Sequence, residues 1–380
     1  MELEGFDPEE PYPQAVLGNR WALLTTLGVS CPKLNALRDL VYEDLDTERL
    51  GIGWWKDHLD SRRRILISDY LLQCFDAVHE NLLEAQLHLL QLPHFRRSQN
   101  RFVAGVVTLR GSGAVGAKLP ARTKPADDLP WAMTSLHTTG VVRATASALD
   151  CLGGVLVGVI GLKTDIMRTD FRVAVRALQK LSKEPSETRG ILTDLQRNLE
   201  DAERAAGPTG SVPWVTEYRN LLVHRGRRAR KNLLRPTALL FGPSGEPLPR
   251  VETVELLPRE PDLSEMQMLA TVGPTSVLNE DSFETLRGVV ASTRQLIEDV
   301  SAPLTSFWTT RRANVNQIPQ PQEQWKKVGR PTVTVFEGYN PGSVQFDVDT
   351  FLTAPEWTTR LKSAALDERQ SAVWGIRMEG

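Results

Sequence analysis

Apolar residues recur at helical spacing through most of this chain and at strand spacing in only three short places. The longest periodic stretch, RILISDYLLQCFDAVHENLLEAQLHLLQL at residues 64–92, returns Leu71, Phe75, Val78, Leu82 and Leu89 to one face. It predicts a helix that ends at a turn marked by Pro93 and His94, with His79 and His88 as ordinary helix-surface residues. Residues Leu34 to Val41 predict a shorter helix, preceded by the apolar run Trp21 to Leu27. Asp127 or Asp128 is placed to cap a helix through Trp131, Leu136 and Val142 to Leu149, with His137 as a structural residue inside it. The strongly apolar run ALDCLGGVLVGVIGL, residues 148–162, predicts a buried central helix. Gly153, Gly154 and Gly158 mark where a neighbour comes close, and the run is short for a membrane span and contains Asp150. Asp170–Lys183, Leu192–Ala206 and Asp281–Val300 complete the helical set.

The strand signals are brief. FVAGVVTL at 102–109 reads as a strand. The segment 237–256 reads as two strands around a Gly/Pro turn, and TVTVF with SVQFDVD predicts a C-terminal hairpin followed by a short helix. The expected class is therefore mainly α. Three regions are expected: an N-terminal helical region with a basic Gly/Pro-rich loop (1–126), a helical domain carrying a β-hairpin (127–310), and a linker with a C-terminal hairpin and helix (311–380).

Composition narrows the partners. A net charge of −2 with 24% charged residues excludes a generic polyanion binder, so any nucleic-acid contact must be local. Cys31, Cys74 and Cys151 are scattered and odd in number, which argues against a disulfide framework or zinc site and fits a reducing cytoplasm. The opening MELEGFDPEE is acidic and does not read as a signal peptide. Gly111 to Gly116 spells GxGxxG, but a dinucleotide site needs a helix to start there and aim its amides at a pyrophosphate. The sequence that follows, AKLPARTKPADDLP, holds three prolines and predicts a loop, whose Arg110, Lys118, Arg122 and Lys124 make it basic.

The most chemically loaded stretch is SVPWVTEYRNLLVHRGRRARK, residues 211–231. Ser211 is a candidate cap, Pro213 suits a first turn, and Gly226 is a stop. Trp214, Tyr218, Leu221 and Leu222 predict an apolar face, with Thr216, Val223 and Arg227 opposite. Arg219 and His224 fall roughly 140° apart around the helix, so they flank a surface without touching; Asn220 lies one turn from His224. If that surface meets its own copy across a two-fold axis, the arginine of one chain approaches the histidine of the other.

Arg219-Asn220-x-x-x-His224 resembles the Arg-x4-6-His signature of the HEPN superfamily, over roughly residues 127–310. The resemblance implies a small helical bundle, here with β-hairpin insertions and a C-terminal extension. It implies a metal-independent endoribonuclease with its site at a homodimer interface, of the kind found in toxin–antitoxin pairs and prokaryotic anti-phage defence. A regulatory or antitoxin protein is then an expected partner. A family variant carries a tyrosine two residues after the histidine as the target of a nucleotidyltransferase; Gly226 stands there, so that partner is not expected.

The residue types suit the chemistry. RNA carries its own nucleophile in the 2′-hydroxyl, so cleavage needs a base, an acid and positive charge on the phosphorane. His224 serves acid–base transfer, Arg219 grips the phosphate, and Asn220 orients. Arg225, Arg227, Arg228, Arg230 and Lys231 would guide the RNA backbone. No metal or cofactor is required. The alternative is a non-catalytic module in which the same helix mediates dimerisation or binds nucleotides or RNA.

Overall fold

The structure is a computed structural model that describes residues 20–44, 61–106, 108–109, 115–116, 125–186, 188–224, 231–241, 247–261, 277–313 and 338–339. The expected C-terminal hairpin and the acidic leader lie outside them. The described chain is mainly helical. In order it forms α1 (Arg20–Thr26), α2 (Pro32–Asp44), α3 (Ser61–Val106), β1 (Thr108–Leu109), β2 (Val115–Gly116), α4 (Pro125–Ile160), α5 (Phe171–Leu181), α6 (Arg189–Ala206), α7 (Ser211–His224), β3 (Lys231–Phe241), β4 (Pro247–Leu256) and α8 (Ser282–Ala313).

Three helices are longer than their sequence punctuation suggests. α3 does not turn at Pro93; it continues to Val106, which turns most of the expected 102–109 strand into helix. A mid-helix proline forfeits one backbone hydrogen bond and costs about 3 kcal/mol. Here the segment beyond it is held from outside, because Gln99 is buried and donates through Nε2 to Pro130 O (3.2 Å) and Thr134 Oγ1 (2.8 Å). α4 joins the two helices expected across 127–160 into one, through Pro130. α8 runs past Pro303 to Ala313, so Arg311 belongs to a helix and not to a polar linker.

The chain divides into two compact units. The first comprises Met1–Ser30, His79–Ala148 and Glu203–Leu296. Its core draws Leu82, Leu89 and Val103 from α3, Val141 and Val142 from α4, Val215, Tyr218 and Leu221 from α7, and Leu286 and Val290 from α8. β3 and β4 pair antiparallel from Lys231↔Leu256 to Phe241↔Pro247, and the register slips between Pro236 and Ala238, where proline offers no N–H to the ladder. Arg96 on α3 makes an ion pair with Asp281, also donates to Thr253 O, and Asn100 Oδ1 accepts from Thr253 N (2.7 Å). These bonds fasten α3 to β4 and to the residue that caps α8, where Asp281 Oδ1 accepts from Phe283 N (2.7 Å).

The second unit comprises Cys31–Val78, Leu149–Ala202 and Ile297–Gly380. Its centre is the C-terminal half of α4, where Leu152, Val155, Leu156, Val157, Val159 and Ile160 are all buried. The three glycines make this packing fit. A Cβ at Gly153 would meet the backbone of Asp170 and Phe171, one at Gly154 the Cys74 sulfur, and one at Gly158 the Leu71 side chain. α4 is the one helix among the described residues that is long and apolar enough to cross a membrane, and 78% of its apolar window is buried inside the fold. Asp170 caps α5 by accepting from Val173 N at 2.7 Å. None of Cys31, Cys74 and Cys151 forms a disulfide. Burial pushes the Cys74 thiol well above its usual range, which removes it as a nucleophile.

The end of the glycine motif, Val115 and Gly116, lies in a strand and not at a helix start: Thr108↔Gly116 and Leu109↔Val115 pair antiparallel. Residues 110–114 and 117–124 lie outside the described residues.

Candidate functional site

α7 carries the sequence motif. It starts at Ser211, so Ser211 is its first residue rather than its cap; Gly210, at φ +88°, makes the turn and accepts from Trp214 N at 2.9 Å. That backbone region is open to glycine and strained for most other residues. The helix is fixed by its flanks. Trp214 Nε1 donates to Pro258 O (2.9 Å), and the Trp214 and Tyr218 rings lie 5.1 Å apart. Gly207 in the preceding turn sits against Ser292 of α8 so closely that a Cβ there would collide with its hydroxyl.

The buried arc of α7 is wider than expected. Val212, Val215, Thr216, Tyr218 and Leu221 are all buried, while Trp214 and Leu222 are half-buried. Thr216, expected on the outer side, is inside because its hydroxyl donates to Val212 O (3.1 Å) within the helix and leaves its methyl to pack. Val223 is exposed, as expected.

This arc sorts the motif residues. By helical geometry Arg219 falls within the buried arc, and Asn220 and position 224 fall outside it. Arg219 is half-buried and its Nε is shielded from solvent; Asn220 is half-buried. The backbone at position 224 is the last helical residue. The His224 side chain lies outside the described residues, as do Arg225, Arg227, Arg228 and Arg230; Lys231 begins β3. One continuous helix thus carries Arg219, Asn220 and His224, and within one chain it directs the arginine and histidine positions to different sides.

A second titratable cluster escaped the sequence reading. His88 on α3 and His137 on α4 are hydrogen-bonded through their Nδ1 atoms at 2.9 Å. Phe95 stacks on His137, with centroids 5.3 Å apart. Gly140 leaves the space that the His88 ring fills. A groove of about 420 Å³ opens beside the pair, lined by Leu83, Leu87, Glu80, Glu84 and Gln91. His88 is not the ordinary helix-surface residue expected, and neither is His79, which is fully buried because it shares the stripe of Phe75 and Leu82.

The network fixes the tautomers. His137 Nε2 is buried without a partner, so the proton of that ring belongs on Nδ1, which donates to His88 Nδ1. His88 Nε2–H then faces Glu84 Oε1 at 3.7 Å. Burial lowers the His137 pKa, and the neighbouring His88 lowers it further. The two residues are 49 positions apart on different helices, so no local spacing could have paired them. Among the described residues no three His, Cys, Asp or Glu side chains converge to hold a metal ion. No family model, curated protein or solved structure matches the chain.

Proposed function

We propose that the chain is a metal-independent endoribonuclease of HEPN type, active as a homodimer and working in the cytoplasm in prokaryotic anti-phage defence or toxin activity. The HEPN-like region is residues 127–310, mostly helical with the β3–β4 hairpin inserted in its sequence. The observation that carries the reading is the single helix Ser211–His224, which holds Arg219, Asn220 and position 224 in one rigid frame near its C-terminal end. The basic run Arg225, Arg227, Arg228, Arg230 and Lys231 follows directly and supplies charge for an RNA backbone.

In this mechanism His224 takes the 2′-hydroxyl proton or gives one to the leaving 5′-oxygen. Arg219 neutralises the phosphorane, and Asn220 orients the imidazole. The roughly 140° between Arg219 and His224 keeps them apart in one chain, so the complete site needs the partner's copy of the helix.

The shielded Nε of Arg219 favours a second reading. In it the arginine is a structural group, and α7 is a dimerisation or nucleotide- or RNA-binding element without catalysis.

RNA cleavage in EDTA separates the two. Under the first reading wild type yields 2′,3′-cyclic phosphate ends, and His224→Ala loses about 10²–10⁴-fold in rate with unchanged circular dichroism. Arg219→Ala also abolishes cleavage. Activity that survives both substitutions overturns the assignment, and a strictly monomeric active enzyme overturns the composite site.

A further inference from the structure

We infer that the basic groove along α5 holds the phosphodiester backbone of single-stranded RNA. The choice of RNA rests on the ribonuclease reading; the groove itself rests on geometry and charge. α5 buries Phe171, Ala174, Leu178 and Leu181 and turns Arg172, Arg176 and Lys180 to solvent. Those cations stand at i, i+4 and i+8, so they climb the helix in steps of about 6 Å. That is a repeat suited to successive phosphates of one strand.

The face is concave. A groove of about 390 Å³ opens beside it, walled by Lys163, Arg176, Lys180 and Glu184. Val173 and Ala177 supply apolar surface for a base or a ribose. Arg176 Nε donates to Arg172 O (3.2 Å), which fixes the guanidinium and leaves its two terminal nitrogens to meet a phosphate. Lys180 has no ion-pair partner among the described residues. Lys163 is held to Glu184 at 3.4 Å, both exposed, a pair that a phosphate can displace at little cost.

The contrast with α6 separates this groove from an ordinary solvated helix face. α6 interleaves Arg197 and Arg204 with Asp194, Glu200, Asp201 and Glu203, and Arg197 pairs with Asp194 at 3.4 Å. α5, FRVAVRALQKL, has three cations and no acidic residue. In a chain of net charge −2, that is a local excess of the sign a phosphate backbone requires.

The test uses the full-length His224→Ala protein, which leaves RNA uncut, and a fluorescein-labelled oligouridylate read by anisotropy across a salt series. Adding Arg176→Glu with Lys180→Glu weakens binding at least about tenfold at low salt. It also reduces the log–log salt slope by about 1.4, two contacts at roughly 0.7 each for a single strand. The matched reversal Arg189→Glu with Arg197→Glu changes net charge equally and leaves affinity within about threefold. An unchanged affinity and slope in the groove variant overturns the inference. So does an equal loss in the matched variant, no oligouridylate binding at all, or equally groove-dependent binding of polyglutamate. Groove-dependent binding by a wild type that never cleaves sinks the ribonuclease reading alone. Cleavage with groove-independent binding sinks the groove alone.

Discussion

The two units bury polar groups differently. The second unit buries permanent charge. Asp44 is fully buried at the end of α2, where it accepts from Trp308 Nε1 (2.8 Å) and pairs with Arg312 at 3.0 Å. Beside it Arg311, 1% exposed, donates to the carbonyls of Gly158 and Val159 and lies 5.1 Å over the Trp308 ring. Burial works against the Arg311 charge and lowers its pKa. The free carbonyls at the end of α4 and the ring face oppose that pull. The first unit buries the His88–His137 pair, Gln99 with Thr134, and Glu255 with the hydroxyls of Thr138 (3.3 Å) and Ser282 (2.9 Å), and keeps its Arg96–Asp281 ion pair partly exposed. Charged groups fix one arrangement and are costly to break. A histidine pair is cheaper and answers to pH. The second unit is therefore expected to be a rigid frame, and the first to hold the fold's titratable contact.

The largest predicted effect breaks the charged side. Asp44→Ala strands the Trp308 indole N–H and removes the partner of Arg312. Removing one member of a buried pair costs about 3–5 kcal/mol, and the half-exposed Arg312 places this pair at the lower end. Urea unfolding measures it. A loss under about 1 kcal/mol would mean that the Asp44 cluster does not carry the second unit.

Legibility followed the range of the interaction. The helical class, the helix opening at about Asp170, the close-packed glycines on α4 and the helix through Arg219 were all legible, because each depends on local spacing. The breaks placed at Pro93 and after Val300 were misread, because local propensity at a proline was outweighed by packing beyond it, seen in buried Gln99, Val103, Leu304 and Trp308. Arg311 was read as part of a polar linker for the same reason: its partners are carbonyls about 150 residues away in sequence. The histidine pair was illegible in principle, since nothing near His88 announces His137. At the candidate site the sequence could place the motif on a helix. It could not foresee that Thr216 would satisfy its own hydroxyl and turn inward, widening the buried arc to include Arg219.

A smaller effect sharpens the neutral side. A Cβ at Gly140 would overlap the His88 ring. Ring and backbone cannot both stay, so Gly140→Ala displaces His88 and breaks the Nδ1–Nδ1 bond. Overpacking of this kind costs about 1–3 kcal/mol. The replacement also favours helix by up to about 1 kcal/mol, so a net loss of about 1–2 kcal/mol in urea unfolding is expected. His88→Ala in the same background restores most of it by removing the obstacle. Failure of that rescue would place the strain elsewhere in α4.

The smallest effect is the one that separates the units most sharply. His137 has its pKa lowered in the folded protein, first by burial and then by His88. A base with a depressed folded pKa contributes stability that is fully present above its unfolded value near 6.5 and is lost as pH falls through the folded value. Stability should therefore decline on acidification from about pH 7. Protonating both rings would also set two cations across the 2.9 Å contact. Glu84, which faces His88 Nε2, and Glu80 on the groove wall are the carboxylates beside the pair. His94, packed edge-on to Phe95, is the other titratable ring near the pair. Replacing both members with apolar side chains, as in His88→Leu with His137→Phe, should leave stability at pH 8 within about 1 kcal/mol, because both partners go together. It should also flatten the slope between pH 7 and 5, and in the wild type the nitrogen-15 shifts of the His137 ring should report it titrating below its ordinary value. A slope unchanged in the double variant would move the pH response out of this pair and make the two units alike in how they hold their polar groups.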